Sequence, residues 1–341
     1  MTTIGINGFG RIGRCILRNW LERQGTEQLD LKIVAVNDLS DPATLLHLLR
    51  YDSAHGPLNR PSVETPTGFD ADGHSIRVLA ERDPALLNWS ELGVDIVLEC
   101  TGLFTDANRA RAHLDAGARK VIIGAPAENH DHTIVMGVND ATYDADRHQI
   151  ISNASCTTNC LAPLARVMLD EFGIESGLMT TVHAYTNDQS LLDVPHQAGN
   201  LRRSRAAATS IVPTTTGAAR AVSQVIPELA GKLDGVAFRV PVLDVSLVNL
   251  TLQTVKSVSR DAIHEAMRAA ASHGELAPYL EYTEEELVSC DFISHPASSI
   301  FDATQTVVLG DRFCKISAWY DNEWGFANRM LDLAQLISSR A

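Results

Sequence analysis

The segment SNASCTTNC, residues 152–160, carries the side chains best suited to covalent chemistry. It places Cys156 and Cys160 four residues apart among small hydroxyl and amide side chains. The apolar positions that follow recur at helical spacing, so we predict that Cys156 lies at a helix N-terminus, where a thiolate is favoured over a thiol. A thiolate there is a candidate nucleophile, whereas Cys160 is predicted to be buried from the same helix against a sheet.

A base for this nucleophile is predicted from a strand-like segment downstream. Residues 177–186, GLMTTVHAYT, place His183 in an apolar run, and a neighbouring imidazole could form an ion pair with Cys156 and relay a proton. Two other interpretations stay open from these residues. His183 could be an ordinary core histidine, or it could join Cys156 and Cys160 in binding a metal, although a structural zinc site normally needs four ligands.

The same half of the chain contains segments suited to anion binding. LRRSR, residues 201–205, concentrates arginines, with a solvated surface as the alternative explanation. TTTG, residues 214–217, is a hydroxyl-rich turn before a predicted helix, a setting that favours phosphate. Arg239 lies inside the apolar strand AFRVP, where an unpaired charge is unfavourable, so we expect an anion or a carboxylate beside it.

The N-terminal elements predict a dinucleotide site. Residues 2–7 form a strand pattern, and GFGRIG follows directly before a helical pattern. In that order Gly8 permits a tight turn, Gly10 allows a pyrophosphate to approach the backbone, and Gly13 allows the helix to pack closely on the strand. A plain tight turn is the alternative for this short pattern alone.

Later strands strengthen the dinucleotide interpretation. LKIVAVND ends in Asp38, where a carboxylate can accept hydrogen bonds from a ribose and repel a ribose phosphate, which favours NAD over NADP. Thr101 and Gly102 end the next strand pattern, at residues 94–102, and are predicted to line the ligand crevice. Because apolar strands alternate with helical segments, we predict a parallel sheet covered on both faces.

Composition limits the class of protein. The chain has 341 residues, 45% of them hydrophobic, which suits a globular protein of two domains. No apolar run is long enough for a membrane span, and a formal net charge of -14 argues against general binding to nucleic acid or anionic membranes. The six cysteines are scattered and no export-signal pattern is evident, so we expect reduced thiols and a cytoplasmic location.

The chain resembles the phosphorylating glyceraldehyde-3-phosphate dehydrogenases across nearly its whole length. The strings that carry the resemblance are INGFGRIGR, SNASCTTNC, HAYTNDQ, RAAATSIVPTTTGAA, FRVPV and WYDNEWGFANRM, in the family's order. The resemblance implies an α/β Rossmann NAD-binding domain over residues 1–155, completed by a C-terminal helix at about residues 322–341. Residues 156–321 would form an α+β catalytic domain with a mixed, largely antiparallel sheet.

The resemblance also implies a reaction. Cys156 would attack an aldehyde to form a hemithioacetal, and His183 would activate the thiol and assist proton removal as hydride leaves for NAD. Inorganic phosphate would then attack the thioester, so that glyceraldehyde 3-phosphate becomes 1,3-bisphosphoglycerate, as in glycolysis. No metal is implied.

Further site residues follow from the resemblance, position by position. The substrate phosphate would be held by Thr186 and Arg239, with Arg203 nearby. The attacking phosphate would be bound by Ser155, Thr157, Thr216 and Gly217. The family's cofactor positions add Phe9, Arg11, Ile12, Arg82 and Asn322, of which Asn322 would bind the nicotinamide amide.

The resemblance leaves assembly and specificity partly open. It implies a homotetramer, which would cover apolar segments such as VSLVNLTLQTV. Val194 and Pro195 match the NAD-preferring form of their loop. Residues 195–203 form a loop two residues longer than is usual in the family, and its effect on NAD affinity does not follow from the resemblance. Two other functions stay open: an erythrose-4-phosphate dehydrogenase, against which HAYTND argues, and an NAD-binding regulatory module with little catalysis.

Overall fold

The structure is a computed structural model that describes residues 1–24, 29–196 and 199–340. The chain divides into two compact units. Unit 1 comprises Met1–Ile134, Ala141–Ser155 and Phe326–Ala341, and unit 2 comprises Val135–Asp140 and Cys156–Gly325. The longer loop predicted at residues 195–203 includes residues 197 and 198, which lie outside the described part of the chain.

Helices and strands alternate along unit 1, whereas unit 2 is richer in strands. The helices are α1 (Arg11–Arg23), α2 (Pro42–Arg50), α3 (Ala107–Ala110), α4 (Ala112–Asp115), α5 (Cys156–Phe172), α6 (Ala218–Val225), α7 (Arg260–Ser272) and α8 (Trp324–Ser339). The strands of unit 1 are β1 (Thr2–Asn7), β2 (Leu31–Asn37), β3 (Tyr51–Asp52), β4 (Gly56–Pro57), β5 (Ser62–Thr65), β6 (Gly68–Ala71), β7 (His74–Leu79), β8 (Ile96–Glu99), β9 (Lys120–Ile123), β10 (His132–Thr133) and β11 (Ile150–Ser152). The strands of unit 2 are β12 (Ile174–Ala184), β13 (Val212–Thr215), β14 (Leu233–Val240), β15 (Ser246–Thr254), β16 (Leu280–Thr283), β17 (Ser299–Asp302), β18 (Val307–Leu309) and β19 (Phe313–Tyr320). Among the helices of the described residues, none combines the length and the apolar character needed to cross a membrane.

Unit 1 is built on a sheet with the strand order β10-β11-β9-β8-β1-β2-β7-β6-β5. The strands from β10 to β7 pair in parallel, and β5, β6 and β7 form an antiparallel edge. All four successive residues of β8 are buried, and since neighbouring residues of a strand point to opposite faces, both faces are covered here. The predicted Rossmann-like parallel sheet is confirmed.

Helix α8 packs against α1 in unit 1. Arg23 pairs with Asp332 at 2.8 Å between Nη2 and Oδ1, and Asn328 donates from Nδ2 to Asn19 Oδ1 at 2.9 Å. Both asparagines are buried, so each gains a hydrogen bond that compensates for lost hydration. The C-terminal segment is therefore part of the unit that contains the N-terminal strand.

Unit 2 contains a mixed sheet with the strand order β13-β14-β12-β15-β19-β17-β16, with β18 also paired to β19. The pairs β12–β14 and β16–β17 are parallel and the others are antiparallel, which confirms the predicted mixed, largely antiparallel sheet. Helix α5 packs against this sheet, with its apolar side chains buried. The sheet therefore has one covered face.

The apolar segment VSLVNLTLQTV has a different explanation from the one predicted. It forms β15, in which Val248, Leu250 and Leu252 alternate into the core and are fully buried. Their burial within the chain, not a subunit contact, accounts for their apolar character. The exposed apolar side chains of this sheet include Leu178 and Val182 of β12, Val236 and Phe238 of β14, Val307 and Leu309 of β18, and Phe313 of β19.

Candidate active site

A cavity of about 300 Å³ lies at the carboxyl ends of the central strands of unit 1. Strand β1 has β2 on one side and β8 on the other, so the strand order reverses beside it, and open α/β sheets bind ligands at such a point. The predicted cofactor residues in the cavity wall are Gly8, Gly10, Asp38, Arg82 and Thr101. Gly102 follows Thr101 in an exposed turn.

The three glycines at the passage from β1 into α1 have different steric surroundings. Gly8 has φ +92°, and a Cβ there would lie 2.7 Å from the Thr101 backbone nitrogen. A Cβ on Gly13 would lie 2.3 Å from the Gly8 carbonyl oxygen. Gly10, in contrast, has open space around it at the start of α1. The fold itself therefore requires glycine at positions 8 and 13 but not at position 10. The open space beside Gly10 fits a ligand.

Two of the remaining predicted cofactor residues, Phe9 and Arg11, have their side chains engaged within the protein. The Phe9 N–H donates to Asp38 Oδ2 at 3.1 Å, while the Phe9 ring is fully buried against Phe69. The Arg11 guanidinium pairs with Asp52 at 2.5 Å between Nη1 and Oδ2. Burial raises the pKa of Asp52, but hydrogen bonds, chiefly from Arg11, lower it overall to about 2. Arg11 and Ile12 begin α1 and bring the positive end of its dipole to the cavity.

A buried network that sequence analysis missed holds the turn at Thr101. Glu99 accepts from the Thr101 N–H at 2.7 Å and from Asn7 Nδ2 at 2.5 Å, and its Oε2 lies 3.0 Å from His113 Nε2. Trp89 donates from Nε1 to His113 Nδ1 at 3.0 Å, so the hydrogen of the neutral ring sits on Nε2 and points at Glu99. The short motif ECTG gave no signal of these partners because they come from distant segments.

Cys156, the predicted nucleophile, begins a helix of unit 2, as the sequence predicts. Helix α5 begins at Cys156, and Ala154 just before it has φ +56°, so the chain turns sharply into the helix. Cys156 Sγ lies 3.6 Å from His183 Nε2. His183 Nδ1 lies 2.6 Å from the Ala184 carbonyl oxygen, which can only accept, so Nδ1 carries the hydrogen and Nε2 faces the thiol as an acceptor.

Burial modifies the predicted ionisation of this pair. It raises the pKa of Cys156, whereas Arg239 and hydrogen bonds from Thr157 lower it. Burial also lowers the pKa of His183 to about 4, and the charge of Arg239 acts in the same direction. The thiolate expected at the helix N-terminus is therefore opposed by desolvation, and the arrangement suits proton transfer from Sγ to Nε2 as the sulfur attacks.

Cys160 faces away from this pair. Its Sγ lies 3.5 Å from Ser299 Oγ and 4.0 Å from the Ala318 carbonyl oxygen, in the strands beneath α5. Burial raises the pKa of Cys160 to about 12. The prediction that Cys160 packs against the sheet is confirmed, and its contacts do not form a ligand set with Cys156 and His183.

Tyr320 is a second residue that sequence analysis missed. Its hydroxyl lies 2.9 Å from Thr157 Oγ1 and 2.9 Å from Thr181 Oγ1, and its ring stands edge-on to His183 with 5.9 Å between centroids. Burial raises the pKa of Tyr320 well above its ordinary value, so the phenol stays protonated. The Thr157 hydroxyl, which the resemblance assigns to the attacking phosphate, contacts Tyr320 in this structure.

An arginine cluster lies beside His183. Arg239 of β14 is the register partner of His183 in β12. Arg239 Nη1 donates to Thr186 Oγ1 at 2.5 Å. Thr186 and Arg203 both donate to Asp188, whose Oδ1 also lies 3.8 Å from Arg239 Nη1. The carboxylate expected beside Arg239 is thus Asp188. Sequence analysis did not single out this residue.

The residues predicted for the attacking phosphate gather at two helix N-termini. Ser155 directly precedes α5, and Gly217 directly precedes α6. Thr216 Oγ1 accepts from the Ala218 N–H at 3.1 Å, and Thr158 Oγ1 donates to the Ala218 carbonyl oxygen at 3.4 Å. The first turns of α5 and α6 are therefore in contact, and two helix N-termini side by side favour an anion.

Asn322 is buried in unit 2, just after β19. Its Oδ1 accepts from Ser246 Oγ at 2.6 Å. Ser246 Oγ in turn accepts from the Ala184 N–H at 3.0 Å. Asn322 is thereby connected to the residue that follows His183.

These features define a class of protein, a nicotinamide-dependent dehydrogenase with a cysteine nucleophile. Comparisons give the family. The glyceraldehyde 3-phosphate dehydrogenase NAD binding domain profile matches residues 2–107, and the C-terminal domain profile matches residues 155–322. The chain belongs to the glyceraldehyde-3-phosphate dehydrogenase family, so the predicted family, enzyme class and NAD-binding domain are confirmed.

Full-length relatives agree with the family profiles. The chain is 57% identical over 340 residues to the glyceraldehyde-3-phosphate dehydrogenase of Kitasatospora aureofaciens, with 100% of both chains covered. It is 53% identical over 337 residues to that of Geobacillus stearothermophilus, with 99% of this chain and 98% of the relative covered. It is 54% identical over 334 residues to glyceraldehyde-3-phosphate dehydrogenase 1 of Streptomyces avermitilis, with 98% of each covered.

Proposed function

We propose that this enzyme oxidises D-glyceraldehyde 3-phosphate and phosphorylates it to 1,3-bisphosphoglycerate in glycolysis. The observation that carries the proposal is the position of His183 Nε2, 3.6 Å from Cys156 Sγ and with its hydrogen on Nδ1. A thiol that can pass its proton to a neutral imidazole is able to attack an aldehyde carbon. Family membership supports the same chemistry.

His183 moves a proton in each half of the oxidation. Attack by Cys156 Sγ forms the C–S bond while the thiol proton passes to Nε2 and then to the new alkoxide oxygen, which completes the hemithioacetal. His183 Nε2 next accepts the hydroxyl proton as the carbonyl re-forms and a hydride leaves the same carbon. Bound NAD supplies the acceptor for that hydride. The product on the enzyme is a thioester at Cys156.

Two anion sites account for the phosphorylated substrate and for inorganic phosphate. Thr186 and Arg239, with Arg203, would bind the substrate phosphate. For this, Thr186 must redirect its hydroxyl hydrogen from Asp188 to the phosphate. The attacking phosphate would be bound at the adjoining helix N-termini by Ser155, Thr157, Thr216 and Gly217. Attack by this phosphate on the thioester carbonyl releases the acyl phosphate and returns the thiolate, which recovers its proton from His183.

The cofactor site fits the cavity of unit 1. The turn that contains Gly8, Gly10 and Gly13 would place the pyrophosphate at the start of α1, with the space for it beside Gly10, and Asp38 would accept hydrogen bonds from the adenosine ribose. Further contacts would come from Phe9, Arg11, Ile12, Arg82, Thr101 and Gly102. Asn322 would bind the nicotinamide amide. We assign residues 1–155 with the C-terminal helix to cofactor binding and residues 156–321 to catalysis.

A homotetramer in the cytoplasm is the proposed form of the enzyme. The exposed apolar face of the unit 2 sheet, with Leu178, Val182, Val236 and Phe238, supports self-association because large exposed apolar patches favour protein contacts. The six free cysteines suit a reducing compartment. Sedimentation equilibrium of the purified enzyme tests the assembly, and a monomer at micromolar concentration would refute it.

Initial NADH formation tests the reaction. The purified enzyme is assayed with NAD and saturating phosphate, and kcat/KM is compared for glyceraldehyde 3-phosphate and erythrose 4-phosphate. We expect a strong preference for the triose, no turnover in Cys156→Ser, and unchanged turnover in Cys290→Ser, whose thiol is exposed. A preference for the tetrose would refute the substrate. NAD binding without turnover would favour a regulatory module instead.

A further inference from the structure

The hydrogen bonds around Ser246 indicate which end of the Asn322 carboxamide is its donor. A serine hydroxyl has one hydrogen, and its oxygen can accept as well. Ser246 Oγ accepts from the Ala184 N–H at 3.0 Å and donates to Asn322 Oδ1 at 2.6 Å. The carboxamide oxygen of Asn322 is therefore held by Ser246, and its Nδ2 is directed away from Ser246.

From this polarity we propose that Ser246 is a positioning residue that presents Asn322 Nδ2, as a donor, to the carbonyl oxygen of the nicotinamide carboxamide. The proposal rests on the function proposed above, in which Asn322 binds the nicotinamide amide. In this role Ser246 acts through Asn322 and not on the cofactor directly. It selects one of the two orientations of an amide side chain that has almost the same shape after a flip.

The surroundings of Ser246 make it rigid enough for this role. Ser246 is the first residue of β15, and its register partner across the antiparallel pair with β19 is Tyr320. Ser246 and Asn322 are both buried, so water competes little for their hydrogen bond. Ser246 also binds the backbone of Ala184, next to His183, and thus connects the nicotinamide-binding amide to the strand that carries the catalytic imidazole.

Loss of the serine hydroxyl would free the amide to flip. In Ser246→Ala, Asn322 Oδ1 loses its donor, and the flipped orientation would present an oxygen to the oxygen of the nicotinamide carboxamide. We expect NAD affinity to fall about tenfold, as for one hydrogen bond between well-placed groups. ADP-ribose, which lacks the nicotinamide, should bind Ser246→Ala and the wild-type enzyme equally. Ser246→Thr keeps the hydroxyl and should keep the wild-type NAD affinity.

A double-mutant cycle tests whether Ser246 acts through Asn322. Affinities for NAD and ADP-ribose are measured by titration for the wild-type enzyme, Ser246→Ala, Asn322→Ala and the double variant. We expect Asn322→Ala to weaken NAD binding alone, and Ser246→Ala to have no further effect in that background. Equal losses in both backgrounds, or an equal loss for ADP-ribose, would overturn the positioning role.

A second variant keeps the test decisive if Ser246→Ala does not fold. Asn322→Asp retains an acceptor for Ser246 but has no donor, so it should weaken NAD binding relative to ADP-ribose. Unchanged NAD binding in this variant would overturn the proposed amide donor. Failure of the proposed function and failure of the role of Ser246 and Asn322 give different results. A wild-type enzyme with no turnover refutes the proposed function. A wild-type enzyme that turns over, with NAD binding unaffected by Asn322→Ala, refutes only the role of this pair.

Discussion

Arg203 donates a hydrogen bond to Asp188, the same carboxylate that accepts the hydroxyl hydrogen of Thr186. An internal anion therefore occupies the position where three proposed phosphate ligands converge. A phosphate that binds there must compete with the carboxylate for the hydroxyl of Thr186 and for the charge of Arg203. Asp188 thus weakens the attraction of the cluster for anions.

The first prediction concerns this carboxylate. Asp188→Asn removes a negative charge but keeps the side-chain shape, so the arginines are less neutralised and inorganic anions should bind more tightly. We expect the inhibition constant of sulfate to fall about fivefold, or roughly 1 kcal/mol, in steady-state assays at constant ionic strength. Asp193→Asn is the control, since Asp193 pairs with the exposed Arg205. Weaker sulfate inhibition in Asp188→Asn would show that Asp188 chiefly holds the arginines in place.

The second prediction concerns the reactivity of Cys156. The charge of Arg239 lowers the pKa of the Cys156 thiol, so Arg239→Gln should raise it. The rate of alkylation by iodoacetamide follows the thiolate fraction, so its midpoint should move to higher pH. Arg205→Gln, at an exposed arginine, should leave the midpoint unchanged. A midpoint that stays in place in Arg239→Gln would contradict the electrostatic role.

The third prediction concerns stability and pH. The pKa of His183 is lowered from 6.5 to about 4 by burial, so between these values the unfolded chain binds a proton that the folded chain does not. The contribution of His183 to the free energy of unfolding is therefore present in full above pH 6.5. It decreases by up to about 3 kcal/mol as the pH drops toward 4. His183→Asn should remove this part of the acid destabilisation in urea unfolding measured from pH 7 to pH 5. An unchanged pH dependence would indicate that His183 takes up its proton at the same pH in the folded and the unfolded chain.

The sequence predicted the residues whose roles depend on local backbone geometry. Cys156 at the start of α5 and the glycines at the start of α1 follow from apolar spacing and the order of strand, turn and helix. The roles of Asp188, Glu99 and Tyr320 could not be predicted from local sequence. Their partners lie in other elements, and only the folded chain brings them together.

Packing also sets the direction of two side chains that the resemblance assigned to the cofactor site. Phe9 was predicted at the cofactor, but its ring is in the core. The guanidinium of Arg11 pairs with Asp52. A side chain's direction depends on tertiary packing, which a motif does not encode.

The last prediction uses two glycines of the same turn as a matched pair. Gly10 has φ -73° and open space around it, so Gly10→Ala should fold with nearly wild-type stability. Its methyl group would occupy the space proposed for the pyrophosphate, so NAD affinity should fall at least about tenfold. A Cβ at Gly13 would meet the Gly8 carbonyl oxygen at 2.3 Å, so Gly13→Ala should lose at least about 2 kcal/mol of unfolding free energy. Urea unfolding and NAD titration of both variants separate the two effects, and a Gly10→Ala enzyme that binds NAD normally would place the pyrophosphate elsewhere.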